Sequence, residues 1–157
     1  MLSEKITIRK AREQDILGIV RLLADDPLGA QRETATEPLA LFYRDAFAKM
    51  ERQEGNDYYI AEEDGQILGC MQVTMIAGLS RKGMTRCQIE GVRIASDCRS
   101  AGVGRHMIKY AIRLAKQAGC GLVQLTTDKT REDAHRFYEK LGFEPSHVGM
   151  KLDLTGK

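Results

Sequence analysis

The chain predicts a mixed α/β fold: a largely antiparallel sheet with helices covering both of its faces. Three observations lead there. Alternating, strand-like runs follow one another through residues 57–94 and are joined by turn signals. Helical periodicities stand before and after them. Residues 87–126 then read strand, helix, strand, a unit that closes as a parallel, right-handed crossover. With 157 residues and 43% hydrophobic content, residues 1–157 make one ordinary domain able to bury a real core.

The elements follow in order. Ile6–Lys10 alternates as a short strand. Glu13-Gln14-Asp15 opens a helix with Ile16, Ile19, Val20 and Leu23 on one face, and the proline and glycine of Asp25–Gly29 end it. The next helix starts near Thr36 as N-cap, with Pro38 in its first turn. Its stripe of Leu39, Phe42, Tyr43, Ala46, Phe47 and Met50 reads as core. Glu54-Gly55-Asn56 leads into a strand at Asp57–Glu62, and Asp64-Gly65 marks a tight hairpin into the strand Ile67–Ile76. A polar turn at Ser80–Gly83 precedes the strand Cys87–Ile94. The helix from Val103 carries Met107, Ile108, Ala111, Ile112, Leu114, Ala115 and Ala118 at helical spacing, with Gly119 placed as a left-handed cap. Leu122–Thr126 is a strand. Thr130 with Asp133 makes a variant capping box for a helix bearing Ala134, Phe137, Tyr138 and Leu141, stopped at Gly142. Phe143 and Met150–Leu154 read as final strands.

Composition excludes several function classes. The 24 basic and 22 acidic residues nearly cancel, to a net +2, and no block of like charge gives nucleic acid an electrostatic footprint. The first residues mix charges without an apolar core, and no apolar run approaches membrane-spanning length. A cytoplasmic protein with no membrane and no nucleic-acid partner is the expectation. The four cysteines form no Cys-x-x-Cys pair and have three histidines to join them, so neither a metal site nor a disulfide framework is expected. Cys98 is open to two readings, a thiol activated by nearby positive charge or an incidental small residue.

The stretch Val92-Arg93-Ile94-Ala95-Ser96-Asp97-Cys98-Arg99-Ser100-Ala101-Gly102-Val103-Gly104-Arg105 ends a strand, turns through two glycines and starts a helix. First-turn N–H groups lack intrahelical partners, and the peptide dipoles add positive charge there. Gly102 and Gly104 let a bulky anion approach the main chain, with Arg99 and Arg105 on either side. The loop is neither a mononucleotide P-loop, lacking Gly-Lys-Ser/Thr, nor a dinucleotide fingerprint, having Met107 where a third glycine belongs.

Arg99-Ser100-Ala101-Gly102-Val103-Gly104 resembles the Arg/Gln-x-x-Gly-x-Gly/Ala motif of the GNAT superfamily of N-acetyltransferases. Ala134–Phe143 is similar to that superfamily's second motif almost residue for residue, in the same order along the chain. The likeness covers Ile89–Phe143 closely and the N-terminal half by element order. It implies a central sheet with a splayed parallel strand pair, and acetyl-coenzyme A held by main-chain amides of Arg99, Ser100, Ala101, Gly102, Val103, Gly104 and Arg105. The pantetheine arm would pair with the strand edge Val92, Arg93, Ile94, as an added strand does. Phe137 and Tyr138 are counted with the cofactor-binding residues, and plain packing against the sheet is the other reading of Phe137. The resemblance implies Tyr138 as the acid that protonates the departing thiolate, and a packed aromatic is the other reading. Glu90 would serve, directly or through water, as the base for the amine; a solvated strand glutamate is its alternative. Strict alternation sets Glu90 on one face with Val92 and Ile94, unless Gly91 marks a bulge. A backbone N–H near Val92 would stabilise the oxyanion.

The acceptor groove implied by the family includes Asp25, Asp26, Glu33 and Glu37, which suit a cationic amine or are ordinary surface. Ser100 replaces a frequent glycine and Arg131 a frequent asparagine of the family. The expected activity is acetyl transfer to a primary amine of a small molecule or peptide by direct attack in a ternary complex. The alternatives are a non-catalytic acyl-coenzyme A sensor and, behind it, a nucleotide- or phosphate-binding module. Dimers are frequent among similar proteins and a homodimer is compatible with the sequence, which does not fix the oligomeric state.

Overall fold

The computed structural model describes residues 4–156. The sheet has five strands in the order β1-β2-β3-β4-β5: β1 (Thr7–Lys10), β2 (Asn56–Glu63), β3 (Gln66–Ile76), β4 (Arg86–Ile94) and β5 (Leu122–Leu125). The first three pairings are antiparallel, and β5 runs parallel to β4. Helices α1 (Ile16–Ala24), α2 (Pro27–Arg32) and α3 (Leu41–Glu51) separate β1 from β2. A single turn α4 (Ser80–Gly83), with Arg81 and Lys82 in the left-handed region, joins β3 to β4. Helix α5 (Val103–Gln117) crosses over to β5, and α6 (Glu132–Lys140) follows. The chain forms two compact units, Met1–Gln124 and Leu125–Lys157.

Alternation along the strands divides the core of the first unit. Ile60 and Cys70 pack with Ile19 and Leu22 of α1. The other face carries Tyr59, whose ring lies 5.6 Å from that of Tyr110 on α5. A Cβ at Gly69 would stand 2.8 Å from Met107 Sδ and 2.9 Å from Ile94 Cδ1, so the bare strand residue lets α5 close on the sheet. Ile60, Met71, Met107 and Ile108 are fully buried, each contributing about 2–3 kcal/mol of hydrophobic stabilisation. Helix α5 ends where Gly119 takes φ 74°. The amides of Gly119 and Cys120 reach back to the carbonyls of Lys116 and Ala115 at 3.1 and 2.9 Å, a Schellman closure. The β2–β3 hairpin turns through Asp64 (φ 48°) and Gly65 (φ 79°), as its Asp-Gly pair requires.

Several expectations need correction. Pro27 and Gly29 do not merely end α1. Pro27 is the first residue of α2, and the Asp26 carboxylate accepts from the Gly29 N–H at 2.5 Å, a capped start that proline favours. Helix α3 begins at Leu41, not near Thr36, whose hydroxyl donates to the Pro38 carbonyl at 3.5 Å in an open turn. Its stripe is not core: α3 buries no residue, and Phe42 is 60% exposed. Thr130 does not cap α6. Its amide and hydroxyl both bind Asp128 Oδ1, at 2.9 and 2.7 Å, and Arg131 takes the N-cap position without a side-chain bond. No strand forms at Phe143 or Met150–Leu154 among the described residues; Met150, Leu152 and Leu154 are exposed, so their alternation finds no buried face.

One ion cluster ties the N-terminal elements together. Arg9 on β1 donates to both oxygens of Asp15 (2.8 and 3.1 Å) and both of Glu62 on β2 (3.0 and 3.1 Å). Asp15 is buried and also accepts the Arg12 N–H at 2.7 Å. Burial alone would raise its pKa, but the Arg9 and Arg12 bonds reverse the sign and hold it below the ordinary carboxylate value. Its stabilising effect is therefore complete above that ordinary value of 3.8 and is lost as pH falls through the lowered folded value. Asp15→Ala should cost about 3 kcal/mol at neutral pH. In thermal melts, the difference from wild type should shrink as the buffer is taken below pH 3.8. A Cβ at Gly29 would run into the carbonyl oxygen of Leu23. Gly29→Ala should consequently lower the melting temperature by several degrees, roughly 1–3 kcal/mol of overpacking.

Candidate active site

The register of β4 on β3 slips by one residue. Gln72 faces Glu90 and Cys70 faces Arg93, which leaves Gly91 and Val92 opposite the single residue Met71. This is a β-bulge, and Gly91 occupies it at φ 58°, a conformation that excludes most side chains. A Cβ at Gly91 would meet the Tyr58 hydroxyl at 3.2 Å. Side chains satisfy the bulge carbonyls: Cys70 Sγ donates to Gly91 O at 3.7 Å, and Arg93 Nη1 to Val92 O at 2.9 Å. The bulge resets the alternation. Glu90 does not share a face with Val92 and Ile94, as strict alternation has it; it stands with Gln88, exposed, while Cys87 and Ile89 point into the core.

Beyond the bulge the strand runs into the loop that starts α5. A 3-10 turn, Ser96–Cys98, is followed by Ser100 at φ 70° and by Gly102 at φ 88° as the N-cap of α5. Ser100 thus adopts the left-handed conformation a glycine takes without cost, at a strain of about 1 kcal/mol. The first intrahelical bond is His106 N–H to Gly102 O at 3.0 Å. Val103, Gly104 and Arg105 therefore point their N–H groups out of the helix end. No side chain caps that end and no carboxylate lies in its first turn, whereas Arg105 does.

The Arg99 guanidinium keeps its positive charge and donates to the carbonyls of Asp25 (3.2 Å) and Ile94 (3.5 Å), tying this loop to the α1–α2 connection. Next to it, Arg93 Nε lies 3.2 Å from Asp26 Oδ2. Cys98 is not an activated thiol: burial and then the neighbouring Asp97 push its pKa up.

The acidic residues of the first helices are mostly engaged. Asp26 serves α2 and Arg93, Glu37 pairs with Arg21 at 3.1 Å, and Glu33 accepts from the Tyr43 hydroxyl at 2.6 Å. Tyr43 is half-buried and acts as a polar brace, with its oxygen also accepting the Thr34 N–H at 2.8 Å. Tyr58 escaped the sequence reading because its place beside the bulge depends on strand register. Burial, followed by Cys70, Glu33 and Glu90, pushes its pKa well up, so the phenol stays protonated, a neutral hydroxyl rather than a base. A cleft of about 260 Å³ lined by Lys10, Phe47, Met50, Asn56 and Tyr58 adjoins it.

A row of polar side chains crosses the same face. Asn56 Oδ1 accepts from Gln72 Nε2 (2.8 Å) and Thr74 Oγ1 (3.1 Å). On β4 and β5, Arg86, Gln124, Gln88 and Glu90 are joined one to the next. In the second unit, Phe137 and Tyr138 neighbour each other on α6 with ring centroids 5.1 Å apart, and Tyr138 meets Phe143 edge-on at 5.7 Å. Among the described residues no group of three His, Cys, Asp or Glu side chains is arranged to hold a metal ion, and no helix is long and apolar enough to cross a membrane.

Comparison with known proteins agrees with this geometry. The family model described as acetyltransferase (GNAT) family matches residues 17–143. An aminoalkylphosphonate N-acetyltransferase of Salmonella typhimurium is 30% identical over 105 residues, covering 67% of this chain and 68% of that protein. A glucosamine 6-phosphate N-acetyltransferase of Trypanosoma brucei brucei is 28% identical over 142 residues, 86% of this chain and 95% of that one. The crystal structure of a protein described as a transcriptional regulator from Bacillus halodurans C-125 superposes with a TM-score of 0.92 at 44% identity, covering 95% and 99% of the two chains. With the bulged strand, the capless helix end and the family match in hand, the chain belongs to the acetyltransferase (GNAT) family.

Proposed function

We propose that this chain is an N-acetyltransferase that moves the acetyl group of acetyl-coenzyme A to a primary amine of a small molecule within a ternary complex. The observation that carries the reading is a bulged strand leading, through the Ser96–Cys98 turn, into a helix start with no side-chain cap and no acidic residue in its first turn. Such an end fits a pyrophosphate, since three outward N–H groups and the helix dipole favour an anion and the first turn holds no acidic side chain to compete with it. Main-chain amides of Val103, Gly104 and Arg105, with the loop from Arg99, are the proposed holders of that group. The strand edge Val92–Ile94 is proposed to take the amide-bearing arm. When bound, the cofactor supplies an activated thioester carbonyl.

The chain's own residues then handle protons and position. An alkylammonium of pKa ~10 must lose a proton before it can attack. Glu90, exposed on the bulged strand, is the proposed acceptor, directly or through one water. Tyr58 does not compete for this role, because its phenol is held protonated. Tyr138 is the proposed acid, delivering its Oη proton to the sulfur that departs, and a backbone N–H near Val92 steadies the developing oxyanion. Most of the acceleration comes from orientation of the two reactants. A small-molecule acceptor is supported by the named activities of the relatives, toward an aminoalkylphosphonate and toward glucosamine 6-phosphate. A second reading, an acyl-coenzyme A-binding regulatory module without turnover, is favoured by the description of the Bacillus halodurans relative as a transcriptional regulator.

Thiol release from acetyl-coenzyme A, followed with a panel of aminoalkylphosphonates, amino sugar phosphates, aminoglycosides and lysine peptides, separates the two. Transfer to at least one small amine is expected; saturable binding with no release from any of them selects the regulatory module. Tyr138→Phe should lower kcat by about a hundredfold, in the range of one general acid, while leaving the acetyl-coenzyme A dissociation constant within about twofold. An unaltered kcat removes Tyr138 from the mechanism.

A further inference from the structure

Glu90 does not stand alone on its strand. Gln88 precedes it by two residues and so lies on the same face of β4. Its side-chain amide Nε2 donates to Glu90 Oε1. Gln124, on the neighbouring strand, donates from Nε2 to Gln88 Oε1 at 2.9 Å. Arg86 in turn donates from Nη1 to Gln124 Oε1 at 3.4 Å. The four residues form one directed chain of hydrogen bonds, with a guanidinium at its head and a carboxylate at its end.

The direction is fixed by the termini. An arginine side chain only donates and an ionised carboxylate only accepts. Each glutamine between them must turn its carbonyl toward Arg86 and its NH2 toward Glu90. Reversing either amide sets two donors or two acceptors against each other. Such a chain polarises along its length, so each link strengthens the next. The two cross-strand neighbours on β3 are drawn elsewhere: Gln72, the register partner of Glu90, donates to Asn56, as does Thr74, the register partner of Gln88.

We propose that Gln88 and Gln124 are positioning residues, which hold the Glu90 carboxylate in a single orientation beside the bulge through their hydrogen-bonded line to Arg86. This rests on Glu90 being the proton acceptor proposed above. The line turns an exposed, otherwise freely rotating glutamate into a fixed acceptor, with one oxygen committed to Gln88 and the other left for the amine or its water. It also gives Arg86 a role that involves neither the cradle nor the acceptor itself.

Two measurements on the full chain test this. In nitrogen-edited NMR spectra, Glu90→Ala should shift the side-chain NH2 signals of both Gln88 and Gln124. Arg86→Met should also shift both, and Asn56→Ala neither. A Gln124 signal indifferent to Glu90→Ala overturns the chain. In turnover, using the amine from the panel above that gives the fastest thiol release, Gln124→Leu and Gln88→Met should each lower kcat about tenfold, with the KM for acetyl-coenzyme A unchanged. In a Glu90→Ala background the same substitutions should have no further effect, since residues that act through one another are not additive. Equal losses in both backgrounds mark a merely structural role and overturn the proposal, as does an unchanged kcat in both glutamine variants when Glu90→Ala is impaired. If Glu90→Ala turns over normally, it is the proton-acceptor reading that fails, and the amide signals alone then decide whether the chain exists.

Discussion

The extra residue in β4 is the constraint on which the rest depends. A single Met71 faces both Gly91 and Val92, and the slip changes which side of the sheet every later side chain of the strand occupies. Before it, Cys87 and Ile89 are buried and Gln88 and Glu90 look outward. After it, Arg93 comes opposite Cys70, within reach of Asp26. Gly91 tolerates the required φ, and the Tyr58 hydroxyl occupies the space where a side chain would project. Without the bulge, Arg93 would face α5 and the core, where an unpaired guanidinium is costly.

The same sheet therefore does two jobs on its two sides. The α5 side is apolar and closely packed, down to a bare Gly69 that admits Met107. The opposite side changes character along its length, from Ile60 and Cys70 against α1 to a strip of amides and hydroxyls on Asn56, Gln72, Thr74, Gln88 and Gln124. Polar groups there satisfy one another, which removes the penalty of being half-buried. Helix α3 buries no residue, and of its aromatic stripe Phe42 stands in solvent while Tyr43 and Phe47 are half-buried.

The parts legible in the sequence were those written in local chemistry. Gly102 before a periodic helix announced the start of α5, Gly91 allowed for the bulge, Asp64-Gly65 fixed the hairpin, and Gly119 closed α5 where a left-handed residue was wanted. Pro27 misled because proline both ends helices and begins them; Asp26, three residues before Gly29, was the signal that decides for a start. The stripe of α3 has the right period, but period tells that a helix has an apolar side and not whether anything lies against it. The end of the chain repeats the lesson, with Met150 and Leu152 alternating and exposed. Tyr58, Gln88 and Gln124 could not be found in advance. Each acquires its neighbour from a different strand, and register is a property of the whole sheet. Arg99 shows the converse: its place in the motif was plain, but its carbonyl partner at Asp25 lies 74 residues away.

The Asp26 side chain joins two elements of the first unit. One oxygen accepts the Gly29 amide at the start of α2 and the other faces a guanidinium on the bulged strand. A short helix of six residues has little cohesion of its own, so its persistence is borrowed from the sheet through this carboxylate. A change in the Arg93 side chain on the sheet is consequently felt at the first turn of that helix.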